Sequence, residues 1–263
     1  MHVLLLTEND CYQKGETIVP KGVMIHSTGA NNPWLRRYVG PDDGLLGGNQ
    51  YGNHWNRPGV SACVHAFIGR RADGTVDTYQ TLPWNYRGWH CGRSGNDTHI
   101  SFEICEDGLA DEDYFRQTYQ AAVDLTAYLC HTYDLDPMTP GVVVDHAEGY
   151  EMGIASGHSD VRHWWSKFGA TMDGFRQEVN NYMKGMIELT MTKEELQALI
   201  NESIEAYRRK NIYKTLADVP EWAKSTVEEL VSSGAIQGDG EALNLSYDLC
   251  RMLVIRARAE RQK

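Results

Sequence analysis

Two short runs of β-branched residues, each ending on a histidine, constrain this chain more than anything else in it. Val23-Met24-Ile25-His26-Ser27-Thr28 and Val142-Val143-Val144-Asp145-His146 each open with three consecutive apolar residues, so they read as buried strands that deliver an imidazole. Further strand-like runs occupy Ser61 to Ile68, Thr75 to Tyr79 and Ile100 to Cys105. They alternate with helical spacing at Asp111 to Tyr133, where Phe115, Tyr119, Ala122, Leu125 and Leu129 share a face, and at Met172 to Met183. Strands and helices in alternation predict an α/β domain. Between them, Pro33 to Pro58 is rich in Gly, Asn and aromatic residues and reads as an ordered surface loop of the size that carries function.

The character changes after Lys184. Thr192-Lys193-Glu194-Glu195 is a capping box opening a helix to about Lys210, in which Thr192 and Glu195 satisfy orphan amides. Leu216, Val219, Trp222, Val227, Leu230 and Val231 mark a helical stretch that stops near Gly234, and Leu249 to Ala259 is another. None of the ten histidines lies in this part. The expected organisation is a catalytic domain over 1–183, a linker over 184–191 and a small all-α C-terminal module over 192–263.

Lysine and arginine number 25 against 36 aspartates and glutamates, a formal charge of -11, which argues against a nucleic-acid partner held through phosphates. The six cysteines (Cys11, Cys63, Cys91, Cys105, Cys130 and Cys250) are scattered without a CxxC pair and read as reduced thiols. Met1 to Asp10 lacks a basic n-region and a long apolar run, and no stretch approaches the roughly 20 apolar residues of a membrane span. The expectation is synthesis in a cytosol without a signal peptide, and no membrane insertion.

His26 and His146 gain a third partner in the loop Gly157-His158-Ser159-Asp160. Two histidines and a carboxylate, with one position left for water, are the ligand set of a hydrolytic zinc centre. A single histidine at a strand end is more often a satisfied core residue, but three such groups are less readily all structural. Glu103 sits in Ser101-Phe102-Glu103-Ile104-Cys105, where alternation places it opposite Phe102 and Ile104; it is either an exposed strand residue or a general base beside activated water. The candidate substrate-binding residues are Trp89, His90 and His65. The first two lie in the glycine-bounded loop Gly88-Trp89-His90-Cys91-Gly92, and an aromatic face beside a hydrogen-bonding ring suits a sugar or peptide. His65, in an apolar run, reads more readily as a core residue or as one supporting the site from behind.

Met24-Ile25-His26-Ser27-Thr28, Val64-His65-Ala66-Phe67-Ile68 with Asp73-Gly74-Thr75-Val76, the Gly88 to Gly92 loop, Asn96 to Glu103, and Gly153 to Asp160 with His163-Trp164-Trp165 follow one another in a telling order. From about Lys21 to Met183 the chain resembles the type-2 N-acetylmuramoyl-L-alanine amidases, whose fold is shared with peptidoglycan recognition proteins. The resemblance implies an α/β fold with a central mixed β-sheet flanked by helices. It also implies peptidoglycan as partner, and cleavage of the amide between the lactyl group of N-acetylmuramic acid and L-alanine. It implies Zn2+ held by His26, His146 and Asp160, with Glu103 as the catalytic glutamate. His158 stands where many members carry a lysine, so it is either the donor to the oxyanion or a zinc ligand. A cytosolic start, a wall substrate and a C-terminal module look like a phage or prophage endolysin acting on the wall after release. Tyr213 to Ala223 is similar to helical wall-associated modules, and the amphipathic helix from Thr192 equally suits a homo-oligomer built through the C-terminal helices.

Overall fold

A computed structural model describes residues 1–188 and 193–260, in two compact units, Met1–Leu189 and Thr190–Lys263. In the first unit the order is β1 (His2–Val3), α1 (Asp10–Lys14), β2 (Gly22–Ser27), β3 (Ala66–Arg70), β4 (Val76–Gln80), β5 (His99–Ile104), α2 (Glu112–Thr132), β6 (Val143–Asp145), α3 (His146–Glu151), α4 (Arg162–Trp165) and α5 (Met172–Glu188). The six strands form one mixed sheet in the order β1-β4-β3-β5-β2-β6, with β3 and β4 antiparallel and every other neighbour parallel. The central mixed sheet flanked by helices is the fold that the sequence leads one to expect.

Strand alternation decides what each face carries. Val23 and Ile25 of β2, Ala66 and Ile68 of β3, Ile100, Phe102 and Ile104 of β5 and Val143 of β6 enter one core with α2, α5 and the Trp164-Trp165 pair. The other residues of the same strands face the opposite side. There Phe67 and Cys105 join a second core with Leu35, Tyr38, Val39 and Leu46, and Met24 and Val144 pack with Cys91 and Ala155. His26 and Glu103 occur at this second face's positions, paired directly across the β2–β5 ladder. The Pro33 to Pro58 segment is therefore more than a surface loop, because its short 3-10 turn Leu35–Arg37 and its buried Leu35, Tyr38, Val39 and Leu46 cover part of this sheet face.

Local chemistry explains the helix starts. Asp111 accepts the Tyr114 amide at the head of α2, and Asp145 accepts the Glu148 amide at the head of α3. That second cap ends β6 one residue earlier than the apolar run suggests and makes His146 the first residue of a helix. Ser61 to Val64 likewise falls outside β3; Cys63 instead forms an isolated bridge with Trp89. The reduced-thiol expectation is corrected at one pair. Cys11 and Cys63, 52 residues apart, form a disulfide, a proximity that only the folded chain creates, whereas the other four cysteines are free and buried.

Residues 184–188, expected in a linker, continue α5, and the remainder of that stretch, with Thr192 of the expected capping box, lies outside the described residues. The second unit contains α6 (Lys193–Asn211), β7 (Ile212–Tyr213), α7 (Glu221–Ser232), β8 (Leu245–Ser246) and α8 (Tyr247–Glu260). Its core is Val219, Ala223, Val227, Leu245, Cys250 and Val254, and a two-residue β7–β8 ladder joins what is otherwise helical. Among the described residues no helix is long and apolar enough to cross a membrane.

Candidate metal centre

His26 comes from the last turn of strand in β2, His146 from the first residue of α3 and Asp160 from the loop before α4. Their polar atoms converge. His26 Nδ1 lies 3.0 Å from His146 Nδ1 and 3.0 Å from Asp160 Oδ2, and His146 Nδ1 lies 2.9 Å from the same Oδ2. Burial lowers the pKa of His26 against the opposing pull of Asp160. Burial also works against an ionised Asp160, but its hydrogen bonds with His146 and His26 outweigh it and hold the carboxyl well below the usual range. With the carboxylate ionised, no placement of protons satisfies all three contacts. If both Nδ1 atoms carry hydrogen, two N–H groups face each other; if either does not, a lone pair faces the carboxylate. A cation among the three atoms removes the conflict, and two imidazoles with one carboxylate suit zinc. The donor set fits the metal.

Surrounding groups orient this corner. His26 Nε2 lies 2.9 Å from His90 Nδ1, and His146 Nε2 lies 3.3 Å from Ser156 Oγ, so each ring has its far nitrogen engaged. Arg162 donates from Nε and Nη2 to both oxygens of the fully buried Asp145, at 2.7 and 3.2 Å, which ties the segment after Asp160 to the residue before His146. Between them, buried Val161 adopts a φ of +54°, a strained value for a β-branched residue, and its amide donates to Ser27 Oγ at 3.1 Å. Neither Ser156 nor Arg162 had been singled out in the sequence. A hydroxyl four residues before Asp160 and an arginine two after it carry no motif, although a lone arginine beside a candidate ligand is a signal worth following.

The corner opens into a cleft of about 670 Å³ lined by His26, Glu103, Trp89, His90, His146, His158 and Asp160, among others. Glu103 Oε2 is buried there without a hydrogen-bond partner. Burial, reinforced by Asp160 and Glu106, pushes its pKa well above the usual carboxylate value. His158 is exposed at the rim, its ring centroid 4.8 Å from that of His146, and it is not part of the metal-capable group formed by His26, His146 and Asp160. Trp89 and His90 are half-buried in the cleft wall. His65 is a correction to the substrate-binding set. It is fully buried, the Ser101 amide donates to its Nδ1 at 3.0 Å, and its Nε2 donates to the Tyr86 carbonyl at 2.8 Å. With both ring nitrogens taken by backbone, it ties β5 to the loop at Tyr86 instead of meeting a substrate.

An open cleft over a buried two-histidine, one-carboxylate corner on a mixed sheet is the arrangement that metal-dependent hydrolases use. The chain belongs to the N-acetylmuramoyl-L-alanine amidase family, whose model matches residues 15–166, and it is an amidase acting on the amide that joins peptidoglycan's muramoyl sugar to its peptide. A search of curated protein sequences found no match. Among solved structures, the fold is similar to that of the hydrolase AmiA from Staphylococcus aureus, at 20% identity and a TM-score of 0.50, over 62% of this chain and 73% of that one. PlyL aligns at 20% identity and a TM-score of 0.48 over 68% of this chain and 96% of that one. A mutant endolysin from Bacillus subtilis aligns at 23% and 0.46, over 68% and 97%.

Proposed function

We propose that this amidase works with zinc held by His26, His146 and Asp160, and that it cleaves the bond between the lactyl group of N-acetylmuramic acid and L-alanine. The observation that carries the reading is the three-way convergence of polar atoms that no arrangement of protons satisfies. Zinc bound there supplies Lewis acidity to the scissile carbonyl and brings the pKa of water toward about 7.

The chain's own groups do the rest. Glu103 presents a buried, unpartnered oxygen to the cleft, and a carboxylate held in so poorly solvated a place is eager for a proton. It takes the proton of the attacking water and returns it to the departing L-alanine amine. His158, free at the rim, donates to the developing oxyanion in place of the lysine that many relatives carry. Trp89 offers an apolar wall against which a sugar or peptide packs, and His90 holds the far nitrogen of His26 while its own unpartnered Nε2 lines the same wall.

In biological terms the reading is an endolysin, made in a bacterial cytosol and acting on the wall after release, with the second unit as a wall-binding module. Ile200, Ile204 and Tyr207 are exposed on α6 and supply a surface for self-association, which light scattering of the full chain tests. The amidase reading is tested by hydrolysis of purified muropeptides, with metal content measured on the same preparations of wild type, His26→Ala and Glu103→Ala. The expected result is an intact stem peptide with a free L-alanine amine, lost on chelation and in both variants while Glu103→Ala keeps its zinc. A zinc-replete wild type that binds peptidoglycan without cutting it would overturn the reading.

A further inference from the structure

The disulfide between Cys11 and Cys63 lies directly behind one wall of the cleft, the wall formed by Ser61, Arg87 and Trp89. Both sulfurs touch that wall. Cys11 Sγ lies 3.2 Å from the Arg87 carbonyl oxygen, and the Trp89 amide lies 3.3 Å from Cys63 Sγ. Cys63 and Trp89 also exchange two backbone hydrogen bonds, each of 3.1 Å, in a bridge that belongs to no strand. Leu82, with half-buried Tyr12, Tyr86 and Trp89, packs around the two cysteines as a small core of its own.

Cys11 brings a fixed point to this contact. It is the second residue of α1, whose cap Asn9 accepts the Cys11 amide and donates to the Trp55 and Ala62 carbonyls. Cys63 lies in the stretch before β3 and pairs through the isolated bridge to Trp89, so the covalent bond ties that bridge to α1. The two halves of the Gly88 to Gly92 loop are thus held by different means. The His90 and Cys91 amides both donate to Asn96 Oδ1 at 3.0 Å, and the Ser156 amide donates to the Cys91 carbonyl at 2.8 Å. From this second half His90 Nδ1 reaches His26. None of these contacts involves a sulfur of the disulfide. Opening the bond removes an anchor of Trp89 and leaves in place the half that meets the metal-capable corner.

We propose that the Cys11–Cys63 pair is a redox latch on substrate binding: closed, it holds Trp89 in position as the cleft's apolar wall, and opened to two thiols it lowers affinity for substrate while sparing the metal corner. The inference rests on the proposed reading of a peptidoglycan amidase made in a cytosol and released to the wall. A cytosol keeps thiols reduced and the space outside it does not, so the enzyme gains its full grip on substrate only after release. Closure is thiol–disulfide exchange with a small-molecule disulfide. One cysteine thiolate attacks that disulfide and expels a thiol; the other cysteine thiolate then attacks the mixed disulfide and expels the second thiol. Two electrons and two protons pass from the cysteine pair to the small molecule.

The test measures muropeptide hydrolysis by the zinc-loaded full chain in two states, kept reduced by a phosphine or oxidised by glutathione disulfide, with zinc content and thiols after denaturation measured in each. Four thiols are expected in the oxidised state and six in the reduced one. The expected result is a KM raised about tenfold in the reduced state, the size of one lost aromatic contact, with kcat and zinc content unchanged and KM restored on re-oxidation. Cys11→Ser/Cys63→Ser should show the raised KM in both conditions, and Trp89→Ala should lose the response to reductant. Circular dichroism separates loosening from unfolding: a reduced protein that unfolds would make the bond a general staple and overturn the proposal. So would six thiols after exhaustive oxidation, equal KM values in the two states, a loss of kcat or zinc in place of the KM change, or a Trp89→Ala variant that still responds. A protein that cuts muropeptide in neither state would overturn the amidase reading instead, and calorimetric binding of the same muropeptide to the two states would then decide the latch.

Discussion

Two pairs of histidines in this molecule are alike in residue type and burial and opposite in what they do. His65 lies just before β3 and His99 opens β5, 0% and 5% exposed, and His26 and His146 are 1% and 4% exposed at the cleft. His65 is satisfied by the Ser101 amide and the Tyr86 carbonyl, and His99 by the Thr98 hydroxyl and the Gly141 carbonyl. His26 and His146 instead turn nitrogens on each other and on one carboxylate oxygen. What separates a structural histidine from a candidate ligand is therefore whether its neighbours complete its hydrogen bonds. Burial alone does not.

The sharpest way to break that comparison is at the unsatisfied group next to the ligand pair. Glu103→Gln keeps shape and removes the base, so kcat should fall by about 10²- to 10⁴-fold with zinc still bound, read by muropeptide hydrolysis beside metal analysis. An activity loss explained by missing zinc would move Glu103 from base to ligand. Next in size is the structural pair. His65→Ala should cost about 3 kcal/mol, read by denaturant unfolding, because a buried amide and a buried carbonyl lose their partner, while zinc content stays at the wild-type level. A loss of zinc in this variant would erase the distinction between the two pairs.

Acid should sharpen the comparison further. Burial lowers the pKa of His65 to about 4 despite its hydrogen bonds, so the folded state resists protonation that the unfolded chain accepts near 6.5. Its contribution is fully present above about 6.5 and is lost as pH falls toward about 4, a total of about 3 kcal/mol. Thermal unfolding of metal-free protein should show a shallower acid limb in His65→Asn than in wild type between those limits. Parallel curves would mean that other groups carry the limb. The smallest expected effect is at Ser156, whose hydroxyl meets His146 Nε2. Ser156→Ala should weaken zinc affinity by about tenfold with little change in folding stability, measured by competition with a chelator.

Much of this was legible in the chain because strand periodicity is a local property. Alternation along Ile100 to Cys105 placed Glu103 opposite Phe102 and Ile104, and the helical spacing from Asp111 to Tyr133 matches α2. His65 was misplaced because the apolar run around it says nothing about whether backbone groups wait for its ring, and the strand itself begins only at Ala66. The covering role of Pro33 to Pro58 was hidden for a related reason: Leu35, Tyr38, Val39 and Leu46 have no regular spacing, and only their meeting with Phe67 makes them a core.

By itself the sequence determined the long elements, such as α2 and the apolar strands β2 and β5, and the family, since these follow from patterns within a few residues and from the order of motifs. The tertiary structure alone decided the meetings across long separations: Cys11 with Cys63, Arg162 with Asp145, and a carboxylate at position 160 between imidazoles at 26 and 146. Such contacts depend on distances and directions that neither composition nor periodicity encodes. Whether a polar side chain is satisfied is likewise settled only when all its neighbours are in place.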